Sequence, residues 1–234
     1  MMNILHYKPL LSTIGGLAML FSTGTAYSAS TATALIDWST FTITAINLGI
    51  GLPTYTLSDE SSAVYSLAET DSAYDWTSSI VANSADGLAS ADEDSINATS
   101  TNGSFAWAER EGIFTISGSG LLLFQADYAL SVATDTINDY ASAHIEFFAE
   151  TESDTGFEYY FSISDLYTEN NLVSSLEKNK SLSLAFVVND GDIVRFGASA
   201  NAYTSSPVPV PAAVWFFGSA LIGLIGFNNH KNNV

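Results

Sequence analysis

The 234-residue chain contains no cysteine. That excludes a disulfide framework, a thiolate nucleophile and cysteine-based zinc sites, so any domain here is held by packing and strand pairing. Positive charge is also scarce: six Lys and Arg stand against 25 Asp and Glu, for a formal net charge of −19. All the acidic residues lie between Asp37 and Asp192, and the only Lys and Arg of residues 29–206 are Arg110, Lys178, Lys180 and Arg195. A field of that sign repels phosphate, which excludes nucleic acid as a partner, and makes divalent cations the natural counter-ions. Of three histidines, His144 alone lies away from the two ends, so a multi-histidine metal box is excluded and a Ser-His-Asp set would have to use His144. No Gly-x-Ser-x-Gly elbow or phosphate loop occurs.

What is present begins with two distinctive ends. Residues 1–28 combine Lys8, an apolar run over 10–21 and small residues thereafter, the pattern of a secretory signal peptide. Ala26 and Ser28 fit the small positions before a cleavage site, which places cleavage after Ser28. At the other end, residues 205–211 read SSPVPVP, an extended linker because each proline fixes φ and turns its predecessor away from helix. Residues 212–227 carry no charge; as a helix they would span about 24 Å, close to a bilayer core when residues 208–211 are included. Trp215 stands near one end of this run, and His230 and Lys231 follow the other, which predicts a domain outside and the last residues inside.

The string VPVPAAVWFFGSALIGLIGF resembles the PEP-CTERM sorting tail in its VPxPA-type variant. The likeness covers residues 207–234. Pro207, Pro209 and Pro211 with Ala212 match the proline motif, Trp215 and Gly218 the aromatic-Gly start of the span, and Lys231 the basic end. Val210 stands where the commonest form has glutamate, and the basic cluster is reduced to one lysine among asparagines. The resemblance implies an exosortase-like sorting enzyme as partner, a Gram-negative envelope, transient anchoring in the inner membrane, and a final place at the cell surface or in an exopolysaccharide-associated matrix.

Residues 29–204 are predicted to form one acidic all-β domain, an antiparallel β-sandwich of jelly-roll type, because period-two patterns recur without intervening helical periodicity. Strands are expected over 37–46, 105–108, 112–117, 121–132, 143–150, 157–164, 181–189 and 193–203. Within 157–164 the odd positions are apolar or aromatic, which predicts that Phe157, Tyr159, Phe161 and Ile163 pack inward. The last two strands, joined by Asn189-Asp190-Gly191-Asp192, read as a hairpin. Residues 58–104 are rich in Ser, Ala, Asp and Thr, and fit either short edge strands with long loops or a weakly ordered insertion.

Candidate chemistry is sparse. His144 and Glu146 share a strand face, which permits an acid/base or metal pair as well as a plain half-exposed histidine. Asp86, Asp92 and Asp94, and separately Asp190 and Asp192 about Gly191, offer oxygen ligands for calcium and equally describe acidic turns. Exposed aromatics could stack on sugar rings, and Trp38, Trp76, Trp107, Tyr159 and Tyr160 are available. Tyr160 is singled out because it falls on the polar parity of its strand. The expected function is that of a non-enzymatic structural or interaction protein of the surface or matrix. The alternatives are a carbohydrate-binding module and a carboxylate glycosidase.

Overall fold

The computed structural model describes residues 30–49, 51–67, 69–153, 156–168 and 174–206. The expected signal peptide and the tail from Pro207 onward lie outside the described residues. Twelve strands follow in order: β1 (Thr31–Ile46), β2 (Thr54–Ser66), β3 (Glu69–Ala73), β4 (Ile80–Asn83), β5 (Gly87–Asp92), β6 (Ser95–Thr101), β7 (Phe105–Ser117), β8 (Gly120–Ala133), β9 (Tyr140–Ser153), β10 (Gly156–Tyr167), β11 (Ser175–Val188) and β12 (Ile193–Ser205). No helix occurs among the described residues. The strands form two six-stranded antiparallel sheets, β11-β8-β1-β6-β5-β4 and β10-β9-β12-β7-β2-β3. They face each other over one apolar core, consistent with a β-sandwich.

Strict alternation builds this core. Along β1, Ala32, Ala34, Ile36 and Trp38 point inward, and along β12 Val194, Phe196, Ala198, Ala200 and Ala202 do the same. The core changes character along its length. Small side chains (Ala32, Ala34 and Ala98 from one sheet, Ala106, Ala108 and Ala200 from the other) fill the end near the strand starts of β1 and β7. That end is closed by buried hydroxyls rather than apolar groups: Ser100 Oγ lies 2.9 Å from both Thr204 Oγ1 and Ser104 Oγ and donates to the Ser104 carbonyl at 2.7 Å. Ser30 and Ser206 meet there as well, Oγ to Oγ at 2.8 Å. The other end is aromatic. Phe124 of β8 stacks on Phe196 of β12 with centroids 4.2 Å apart and planes 8° from parallel, joining the two sheets directly.

Three sequence expectations change, and one alternative left open is resolved. The strands flanking Asn189–Asp192 are real but do not pair: β11 lies beside β8 in the first sheet, and β12 between β9 and β7 in the second. The turn is a crossing between sheets, fixed by Gly191 N–H to the Ile116 carbonyl and Ile116 N–H to the Asp192 carbonyl, both 3.0 Å. Gly191 takes φ +88°, the left-handed region that favours glycine. Residues 105–117 form one strand, not two, because Glu109-Arg110-Glu111 continues the alternation with charged side chains. Residues 58–104 contribute most of β2 and all of β3 to β6. Finally, the face of β10 is inverted: Phe157, Tyr159, Phe161 and Ile163 are 77%, 54%, 59% and 48% exposed, while Ser164 is buried and bonded to the Tyr128 hydroxyl at 2.7 Å. As an edge strand β10 turns its hydroxyl-bearing face inward, where Ser164 meets Tyr128 and Tyr160 donates to Glu158, and leaves its aromatic face to solvent.

Candidate aromatic and carboxylate face

The outer face of the second sheet gathers most of the chemistry. Cross-strand register places Ile163, Glu146, Ser199, Glu109, Ala63 and Ser72 in one row from β10 to β3. The next row toward β10's start reads Phe161, Phe148, Gly197, Glu111 and Ser61; the one after reads Tyr159, Glu150, Arg195, Ile113 and Asp59. On the opposite side of the first row stand Asp165, His144, Asn201, Trp107, Tyr65 and Thr70. Small residues thus floor the centre of the sheet, with rings on both sides.

One set of rings is a platform. Phe148 stacks on Tyr159 at 6.2 Å and 18°, Tyr159 continues to Phe161 at 6.0 Å, and the Arg195 guanidinium lies 5.7 Å from the Phe148 centroid. Phe148 lies flat because position 197 is glycine; a Cβ there would overlap its ring. The other set lines an open groove of about 770 Å³, with Tyr65, Phe105 and Trp107 as rings and Thr70, Ser72 and Asn201 as polar groups.

Charge is organised between them. Arg195 binds Glu111 at 2.5 Å and Glu150 at 3.2 Å. His144 Nδ1 is 2.5 Å from Asp165, its Nε2 is 3.9 Å from Glu146, and Tyr159 donates to Glu146 at 3.3 Å. The hydrogen bond to Glu111 and the surrounding carboxylates hold the Arg195 guanidinium above its ordinary range. Burial, then the hydrogen bond shared with Glu111 and the charges of Glu111 and Glu146, push the Glu109 carboxyl up to about 8 against the pull of Arg195.

A carboxyl raised in the fold keeps a proton that the unfolded chain has already lost, so the native state binds more protons across that interval. Stability therefore falls as pH climbs from about 4.5 to about 8. Glu109→Gln removes this titration. The variant is expected to show a flatter thermal midpoint over that range and, at its upper end, to exceed the parent by about 1–2 kcal/mol once solvent screening is allowed for. Thermal melts in pH steps check this, and parallel profiles for the two proteins would mean that Glu109 titrates as an ordinary glutamate.

The sequence candidates are placed as follows. Tyr160 faces inward, stacked on Phe186 at 5.4 Å and donating to Glu158; that hydrogen bond, then burial, raise its hydroxyl to about 12. Trp38 belongs to the core, and Trp76 packs into it with its indole N–H on the Glu111 carbonyl at 2.8 Å. Trp107 and Tyr159 are on the outer face. Asp92 caps its own turn by accepting from the N–H groups of Asp94 and Ser95 at 3.1 and 2.8 Å. Asp86 accepts from the Asn102 amide at 2.9 Å; Asp190 accepts from Gly118 N–H and Asp192 from Asn189 N–H, both at 2.7 Å. No group of three acidic or histidine side chains able to hold a metal ion stands among the described residues.

Glu109, Glu111, Phe148 and Arg195 were not singled out from the sequence, although the Glu-x-Glu spacing on a strand puts both carboxylates on one face. No family model, curated protein or solved structure matches the chain.

Proposed function

We propose that the protein is an exported, non-enzymatic interaction protein of the cell surface or matrix, sorted through its C-terminal tail by an exosortase-like enzyme and associated with exopolysaccharide. The observation that carries the reading is the exposed aromatic edge of β10, continuous with Phe148 and set among hydrogen-bonding groups. A strongly acidic domain has little reason to leave three large rings in solvent except as a contact surface, and rings beside carboxylates and amides suit the apolar faces and hydroxyls of sugars.

The jelly-roll reading is supported by strand order. β6 to β9 alternate between sheets, β9 and β10 pair as neighbours, and β10 to β12 alternate again, so that β6, β8 and β11 share one sheet and β7, β9, β10 and β12 the other. β1 occupies the place between β6 and β8 that an eighth strand would fill, as in a circular permutation, and β2–β3 and β4–β5 extend the two sheets on the same side.

Intact-mass spectrometry of the protein from membrane, matrix and medium of its native host tests the reading. A matrix species beginning near Ala29 and ending within 207–211 is expected. A membrane species ending at Val234 would reduce the tail to a plain anchor, and a species retaining Met1 would overturn export.

A second reading, hydrolysis of the bound polymer, has one specific observation in its favour. Glu109, which holds a proton into the neutral range, stands across Ser199 from Glu146. Two strand spacings put their Cα atoms about 10 Å apart, near the separation at which one carboxyl protonates a leaving group and another activates water. New reducing ends that vanish with Glu109→Gln would establish it.

A further inference from the structure

Arg195 is shared by Glu111 and Glu150. Glu109 and Glu146, on either side of Ser199, have no Lys or Arg partner among the described residues. Around this pair lie the groove of Tyr65, Phe105 and Trp107 on one side and the Phe148–Tyr159 platform on the other. The volume of about 770 Å³ is that of a ligand site, and its rings offer flat apolar surfaces at the spacing of a sheet.

We propose that this face binds an amino-sugar polysaccharide, with ring faces stacked on Trp107 and the Phe148–Tyr159 platform and free ammonium groups paired with the Glu146 carboxylate. The proposal rests on the matrix-interaction reading and names its ligand class. Three polymer chemistries are distinguished by cost. An anionic polymer meets a domain whose acidic residues outnumber its bases severalfold, and is repelled. A neutral polymer covers the Glu146 carboxylate, whose contacts are the Tyr159 hydroxyl and His144, without supplying a cation to offset its lost hydration. A polymer carrying ammonium groups stacks as the neutral one does and supplies Glu146 with a full cation, so charge and shape are both met.

The test uses the full chain in mild detergent, titrated with β-1,4-linked glucosamine oligomers, with the fully N-acetylated oligomers, with neutral glucan oligomers and with polylysine. Glucosamine oligomers are expected to bind at least tenfold more tightly than the acetylated ones. Trp107→Ala and Glu146→Gln are each expected to weaken that binding about tenfold while circular dichroism and melting stay those of the parent. Equal affinity for acetylated and free-amine oligomers overturns the ammonium assignment and leaves glycan binding standing. Binding that polylysine matches and Trp107→Ala does not weaken is generic attraction of a polycation and overturns the site. Absence of binding to every sugar overturns both the ligand class and the glycan part of the matrix reading, whereas the export part answers separately to the mass of the mature protein.

Discussion

Phe124→Ala is expected to lower the unfolding free energy by about 3–5 kcal/mol, the range for truncating a fully buried aromatic ring. Phe124 has no exposed surface and is stacked between the two layers: on Phe196 at 4.2 Å, and on Phe186 at 5.4 Å with planes 4° apart. Phe41 and Phe114 complete its surroundings at 6.0 and 5.9 Å. Since Phe124 belongs to β8 and Phe196 to β12, the ring pair ties one sheet to the other rather than strand to strand. Urea titration of Phe124→Ala, Phe196→Ala and the double variant is expected to show a coupling of about 0.5–1.5 kcal/mol. A loss under about 1 kcal/mol for Phe124→Ala would mean that the sheets are held together elsewhere, at the alanine-lined end.

Arg110→Met is expected to act in the opposite direction, raising stability by about 1–4 kcal/mol, because a buried charge replaced by an apolar side chain of similar length removes a desolvation cost. Arg110 is 0% exposed on the inner side of β7, and its Nε, Nη1 and Nη2 have no hydrogen-bond partner among the described residues. What it has is the Trp38 ring at 5.4 Å and the fields of Asp92, Glu60, Asp75 and Glu93. Burial outweighs those attractions and pushes the guanidinium down to about 10. Above that pH the fold releases a proton that the unfolded chain retains, so parental stability rises with pH and the gap to the methionine variant closes. Arg110→Ala separates charge from volume: it also removes the cation but leaves a void, and is expected to be less stable than Arg110→Met by about 2–4 kcal/mol. Thermal or urea unfolding of the three proteins decides the matter, and a methionine variant less stable than the parent would show that the cation–π contact and the acidic surroundings outweigh the loss of hydration.

The same residue shows where sequence reasoning reached and where it stopped. Alternation along 105–117 was legible on either side of Glu109-Arg110-Glu111, but three charges in a row look like an interruption. In the fold the two glutamates reach solvent and the arginine goes inside, so the rule of alternation held and the rule that charge faces water did not. In β10 the period of two was visible, yet period alone says that two faces differ, not which is inside; an edge strand with bonded hydroxyls can invert them. The crossing at Asn189–Asp192 carried a signal that was legible in principle. A four-residue loop pairs 188 with 193, whereas the apolar positions on both flanking strands are even-numbered, so a regular hairpin would place its two apolar faces on opposite sides. The aromatic groove was the least legible part, because Tyr65, Phe105 and Trp107 are brought together by pairing of β2 with β7 across more than forty residues of chain.

β12 lies between β9 and β7 and is paired with both along nearly its whole length, ending at Ser205. Tension arriving through the chain beyond Ser206 therefore enters a central strand along its own axis. Antiparallel ladder bonds run across that direction, so the pull is resisted by two ladders in shear and not by one bond at a time, as it would be for an edge strand peeled from its end. A domain held from this side would bear drag at the point where its sheet is mechanically strongest.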